Sequence, residues 1–215
     1  MADVVARLVR RIIEAAGIEL LRLYSRVWHR WDCRGREHLP TSGPAIIVAN
    51  HTSSADPIFL TAALGRPIAF LLAREYYLLP GLRQLAGYVG CIPVWRHGRD
   101  VVAACRALRR LRQGCLVGIF PEAGLSNAGR GRLGLWRAGV GWLALRSGCP
   151  VVPIWIEGGP QTPDVLPALI RPSRVRLIIG APLRLVAEPC RFVHRPAIES
   201  AAWRIRQAVA ALRPG

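Results

Sequence analysis

The sequence contains no lysine. All 30 of its basic side chains are arginine, set against 13 acidic ones, which leaves a formal net charge of +17 over 215 residues. So one-sided a balance points to an anionic partner, either nucleic acid or an anionic membrane surface. Arginine in particular suits planar, bidentate contact with phosphate, although all-arginine usage also fits a genome-wide bias. Also missing is any uncharged apolar run of the ~20 residues that a membrane-spanning helix needs. A chain of this kind is expected to lie on a bilayer and not to cross it. The six cysteines, at 33, 91, 105, 115, 149 and 190, include no C-x2-C pair, which argues against a zinc site or a disulfide framework. Cys91, Cys105, Cys115 and Cys149 sit in or beside apolar segments, as buried thiols do, and a reducing compartment is expected. The start, Met1-Ala2-Asp3, lacks the basic opening of a secretory signal. His29, His38, His97 and His194 stand in separate contexts without ligand spacing, so no metal site is expected.

What is present is apolar. Hydrophobic residues make up 52% of the chain, enough for one domain with a full core. That excess favours a lipid surface over nucleic acid as the partner, and no recognised nucleic-acid motif occurs. Over residues 3–31, Val4, Val5, Leu8, Val9, Ile12, Ile13, Ala16, Leu20, Leu23 and Val27 recur at helical spacing. Arg7, Arg11, Arg22 and Arg26 gather roughly opposite, and Trp28 and Trp31 close the stretch. This is the pattern of an interfacial anchor; a helix packed on a core has the same periodicity, and both readings stay open. Beyond it, short β-branched runs at 45–49, 68–73, 90–96, 115–120, 151–156 and 175–179 predict strands. Residues 57–64, 100–113, 137–147 and 196–212 predict helices. The segment 34–44 reads as turn-rich, 76–82 as an apolar loop or short helix, and 158–173 as a Pro-rich loop. Strands alternating with helices predict a single α/β domain over 35–215 with a largely parallel central sheet, preceded by an amphipathic helical region over 1–34.

The stretch Asn50-His51-Thr52-Ser53-Ser54-Ala55-Asp56-Pro57 follows the first of these runs. On a regular helix His51 and Asp56 would point about 140° apart. In a strand-to-helix turn they can meet, Asp56 accepting from one imidazole nitrogen and leaving the other free to take a proton. No Ser or Cys in a nucleophile setting accompanies them. The pair therefore reads as base plus orienter acting on a substrate hydroxyl, beside the plainer reading of a histidine hydrogen-bonded in a turn.

Three further segments stand in order after His51-x4-Asp56: Gly90-x-Ile92-Pro93-x-x-Arg96, Phe120-Pro121-Glu122-x-Gly124-x-Ser126, and Val152-Pro153-Ile154. Each lies at or near a predicted strand end, where open α/β sheets gather their site residues. Together they resemble the four blocks of the glycerolipid acyltransferase family, to which lysophosphatidate acyltransferases belong. The resemblance implies transfer of a fatty acyl group from acyl-CoA or acyl-carrier protein to a lysophospholipid hydroxyl. It makes His51 the general base and Asp56 its orienting partner, with Arg96 holding the acceptor phosphate. Glu122 would bind an acceptor hydroxyl or organise the arginines, and Gly124 and Ser126 would complete the substrate-binding turn. No cofactor is implied beyond the acyl donor, no metal and no nucleic acid. The expected location is the cytoplasmic face of the cell membrane, bound peripherally. One departure stands out: the third block commonly reads Phe-Pro-Glu-Gly-Thr-Arg-Ser, and here Leu125 replaces its arginine. The acceptor is thereby left open between lysophosphatidate, a lysolipid bearing a headgroup and another lipid alcohol. Arg130, Arg132 and Arg137 lie downstream as alternative sources of charge. Leu60, Phe70 and residues 76–82 are candidates to line an acyl groove. The G-x-G-x-x-G match at 129–134 lacks the strand and acidic sequel of a dinucleotide site.

Overall fold

The computed structural model describes residues 2–79, 81–95, 100–122, 124 and 133–214. The chain begins with α1 (Ala2–Trp28) and reverses at Arg30, whose φ of 40° lies in the left-handed region. It then joins the sheet as β1 (Asp32–Arg34). A 3-10 turn (Arg36–His38), β2 (Ala45–Ala49), α2 (Asp56–Leu64), β3 (Ile68–Ala73), α3 (Arg74–Tyr77), α4 (Leu82–Val89) and β4 (Ile92–Val94) follow. The second half runs α5 (Val101–Arg112), β5 (Leu116–Ile119), α6 (Gly139–Ser147), β6 (Val151–Glu157), α7 (Val165–Ile170), β7 (Arg176–Ile179) and α8 (Arg195–Ala211).

The strands form one seven-stranded sheet in the order β1-β7-β6-β2-β5-β3-β4. Every pair is parallel except β6 with β7. This is the single α/β domain with a largely parallel sheet that the alternation of elements predicts. β2 is central and wholly buried, as parallel strands covered on both faces are. Its period of two divides the core. Ala45, Ile47 and Ala49 pack with Phe59 and Leu60 of α2 and Ala168 of α7. Ile46 and Val48 pack with α5, α6 and α8 through residues such as Leu108, Leu143 and Ile205.

The structure corrects or extends the sequence expectations at four places. The stretch 158–173 is not all loop, because it holds α7; Pro167 falls in the helix's first turn, where a missing N–H loses no bond. β1, Asp32–Arg34, is not among the expected strands: it is three residues of largely polar edge strand paired with β7, just ahead of the turn-rich segment 34–44. The apolar segment at 76–82 spans the end of α3 and the start of α4, a helix the periodicity did not predict. The first helix also ends at Trp28, short of residue 31, because Arg30 takes a left-handed φ and reverses the chain just past the next residue.

That residue is His29, fully buried where α1 meets α7 and β7. Its Nε2 lies 2.9 Å from the Tyr24 hydroxyl and its Nδ1 2.7 Å from Ser173 Oγ. Tyr24 donates its one proton to the Leu169 carbonyl at 2.6 Å, so it accepts from Nε2–H, and Nδ1 accepts from Ser173. The ring also meets Phe59 edge-on at 5.0 Å. These contacts fit the neutral imidazole, and burial lowers its pKa. As pH falls below the ordinary histidine value of about 6.5, the unfolded chain takes up this proton before the folded one. The stability His29 contributes is therefore complete above that pH and lost as the pH drops through the lowered folded value. Denaturant unfolding between pH 7 and 5 should show a shallower decline in His29→Gln than in the unsubstituted chain; equal slopes would refute this role.

Candidate active site

β2 hands the chain to its reactive turn through Asn50. The buried amide of Asn50 donates from Nδ2 to the Ile156 carbonyl at 2.8 Å and accepts the Ile156 N–H at Oδ1 at 2.7 Å. A side chain thus replaces a rung of the β2–β6 ladder and fixes where the backbone leaves the sheet. The turn that follows closes on Asp56, the first residue of α2, which has no solvent exposure. Its Oδ2 accepts from the backbone N–H of Thr52 at 2.6 Å, that of Ser53 at 2.9 Å, and His51 Nδ1 at 3.0 Å. The Thr52 hydroxyl reaches Oδ1 at 3.3 Å. Every one of these partners is a donor, as a buried carboxylate needs. Because His51 donates from Nδ1, its neutral ring carries the lone pair on Nε2. The sequence expectation that these two side chains meet in the turn agrees with this geometry.

The face of the His51 ring is held as well. It stacks on Phe120 with centroids 4.1 Å apart and planes 18° from parallel. Phe120 in turn stacks on Phe70 at 5.7 Å and 5°. This column passes over β5 where Gly118 stands opposite Phe70 in register. A Cβ at 118 would sit 2.3 Å from Phe70 Cδ1, so only glycine leaves the ring its place. Phe70 therefore belongs to the support of His51, and Leu60 lies in the core with β2.

Glu122 bridges two backbone segments. Oε1 accepts the His51 N–H at 3.4 Å and Oε2 accepts the Gly134 N–H at 2.8 Å. Gly124 lies at a bend in open space, two residues on. The backbone N–H of Arg137 donates to Pro121 at 3.0 Å, which brings that arginine's backbone beside the third block. Arg96 and Ser126, with Leu125, Arg130 and Arg132, lie outside the described residues. The flanks of the Arg96 segment are fixed by Asp100, which accepts from Trp95 N and from Ala103 N, each at 2.9 Å. Sequence reading singled out neither Asn50 nor Gly118, and gave Phe120 no role. Their contacts are across strands, and only the sheet order reveals them.

A family model described as Acyltransferase matches residues 30–157, more than half of the chain. The chain belongs to the acyltransferase family. The motif resemblance read from the sequence is thereby borne out. Among its relatives is a chloroplastic 1-acyl-sn-glycerol-3-phosphate acyltransferase of Brassica napus, 30% identical over 160 residues, which cover 73% of this chain and 46% of that one. A 1-acyl-sn-glycerol-3-phosphate acyltransferase of Pseudomonas aeruginosa is 26% identical over 188 residues, covering 86% and 71%. The chain thus spans about half the length of the plant relative. In fold it is similar to the crystal structure of the 1-acyl-sn-glycerophosphate acyltransferase of Thermotoga maritima. The TM-score is 0.71 at 20% identity, over 98% of this chain and 84% of that one.

The ring column makes a prediction. Gly118→Ala should displace Phe70 and cost about 1–3 kcal/mol, as overpacking does, which for a chain of this size lowers the melting temperature by roughly 2–12 °C. The His51 ring protons should lose ring-current shift in the same variant. An unchanged NMR signal would show that the column does not support the imidazole.

Proposed function

We propose that the chain transfers a fatty acyl group from a thioester, acyl-CoA or acyl-carrier protein, to the free hydroxyl of a lysophospholipid such as 1-acyl-glycerol-3-phosphate. The observation that carries this reading is the Nδ1 contact of His51 with the buried Asp56 at 3.0 Å, which leaves Nε2 as a base. In the proposed reaction Nε2 takes the hydroxyl proton as the acceptor oxygen attacks the thioester carbonyl. A C–O bond forms, the tetrahedral intermediate collapses, and the C–S bond breaks. The imidazolium returns the proton to the departing thiolate, so no proton is gained or lost overall. Asp56 and the Phe120 face stabilise the imidazolium while it lasts. No cofactor takes part. The names of the relatives in Brassica napus and Pseudomonas aeruginosa favour a glycerophosphate acceptor. Arg96 is assigned to its phosphate, and Arg137 is the described arginine whose backbone lies nearest the third block.

The reaction is placed at a membrane surface, peripherally and on the cytoplasmic face where such thioesters are made. Residues 35–215 carry the chemistry and the helix ahead of them docks it. The support is the orientation of α1. Val9, Ile12, Ile13, Leu20, Leu23 and Val27 are all exposed and lie within about 100° of arc on the helix. The opposite side faces the body: Ile18 and Ser25 are buried, and Arg22 Nε donates to the Ala62 carbonyl of α2 at 2.9 Å. Among the described residues no helix is long and apolar enough to cross a membrane.

The test is acyl transfer from labelled oleoyl-CoA, and then from acyl-carrier protein, to a panel of lysolipids. His51→Ala should reduce the rate by about 10²–10⁴, and Asp56→Asn should approach that loss by favouring the wrong tautomer. Arg96→Ala should raise KM for a phosphate-bearing acceptor by roughly tenfold or more, the worth of a charged hydrogen bond. Folded protein that acylates no acceptor from either donor would sink the reading.

A further inference from the structure

The exposed stripe of α1 does not end with that helix. Tyr24 and Trp28 stand one turn apart on the flank between the stripe and the buried face. They donate to consecutive carbonyls of α7, Tyr24 Oη to Leu169 at 2.6 Å and Trp28 Nε1 to Ile170 at 3.1 Å. α7 is thereby laid against α1 beside its outer face. The inner side of α7 is anchored by Ala168, fully buried, and Leu169, packed on the core. Its outer side presents Leu166 and Ile170, spaced i, i+4 and exposed at 66% and 58%. With Val27 at 70% and Trp28 at 44% they extend the apolar surface off α1.

We propose that α7 and Trp28 form a second lipid-contacting element, which sets the active-site turn against an anionic bilayer. The inference rests on the reading that the substrates are membrane lipids and specifies which surface meets them. Charge decides the occupant. Arg30, Arg171 and Arg174 are exposed around this face, the last held near Arg30 by the Val175 N–H bonded to the His29 carbonyl; the nearby acids are Asp164 at the start of α7 and Asp32, which is paired with Arg34 and Arg176. A second copy meeting the same face about a two-fold axis would set arginine against arginine. Anionic headgroups complement it, with Trp28 at the depth tryptophan prefers. The link to the chemistry is short. Ser54, inside the reactive turn, donates its N–H to Thr162 at 3.3 Å and its hydroxyl to Pro163, in the residues leading into α7. A bilayer seated on α7 therefore lies beside the loop that holds His51.

The test is flotation of the full chain with mixed phosphatidylcholine–phosphatidylglycerol vesicles. Leu166→Glu combined with Ile170→Glu, both at exposed positions, should weaken partition by roughly tenfold or more, with an unchanged melting temperature. Flotation measures no acyl transfer, so its outcome is separate from that of the proposed reaction. Partition within about twofold of the unsubstituted chain would overturn the proposal. So would a dimer of the unsubstituted chain, seen by analytical ultracentrifugation, that the two substitutions dissociate.

Discussion

The carboxylate of Asp56 is cut off from water, and a buried charge is tolerated only where donors replace the lost hydration. Those donors dictate the path of the chain. Thr52 and Ser53 must turn their backbone N–H groups inward, and the carboxylate must stand at the first turn of α2, where the helix also favours negative charge. Once that is arranged, His51 has one side on which to place its ring, and Nδ1 is the nitrogen within reach. The orientation of the base is thus a consequence of satisfying a buried anion. The small residues between them, Thr52, Ser53, Ser54 and Ala55, are what such a tight turn admits.

The ring's second constraint comes from the sheet. Phe120 follows β5 and Phe70 lies in β3, so their stacking depends on the adjacency of those strands and on a missing side chain at Gly118. Asn50 supplies a third by tying the end of β2 to β6. Four neighbouring strands, β6-β2-β5-β3, therefore hold the face and backbone of one imidazole, while Asp56 of α2 holds its edge. Such a site is built on rigid elements, and its precision depends on strand order more than on loop conformation.

Much of this was legible in the sequence, for identifiable reasons. β2, β5 and β6 are buried runs of β-branched or apolar residues, and burial on both faces makes such strands conspicuous; β3 and β7 are apolar runs buried in part. α5 carries its own N-cap in Asp100. What escaped notice had its signal in tertiary contact. β1, Asp32–Arg34, is a short edge strand stabilised by pairing with β7. α7 hides among prolines and is held by Tyr24 and Trp28 from 142 or more residues away in sequence. At the site, the five-residue spacing of His51 and Asp56 revealed the pair. The periodicity of α1 revealed an apolar face but not which way it looks: Val9 to Val27 satisfies a core or a bilayer equally, and the docking of Arg22 on Ala62 decides it.

The acidic residues are few, 13 in the chain, and two of them do a similar task. Asp100 joins Trp95 N to Ala103 N across the segment that bears Arg96. Glu122 joins His51 N to Gly134 N across the segment that bears Leu125, Arg130 and Arg132. Each carboxylate fixes the flanks of an arginine-bearing stretch by accepting backbone N–H groups. Fixing the ends of a loop removes part of the entropy that ordering it would cost. In the proposed reaction this divides the labour at the site. The acid–base machinery is set by Asp56 and the sheet, and acceptor choice falls to the two stapled segments. A substitution such as the leucine at 125 can then alter which headgroup is recognised while the His51 turn keeps its geometry. The bond from His51 N to Glu122 and the stacking of His51 on Phe120 connect the two.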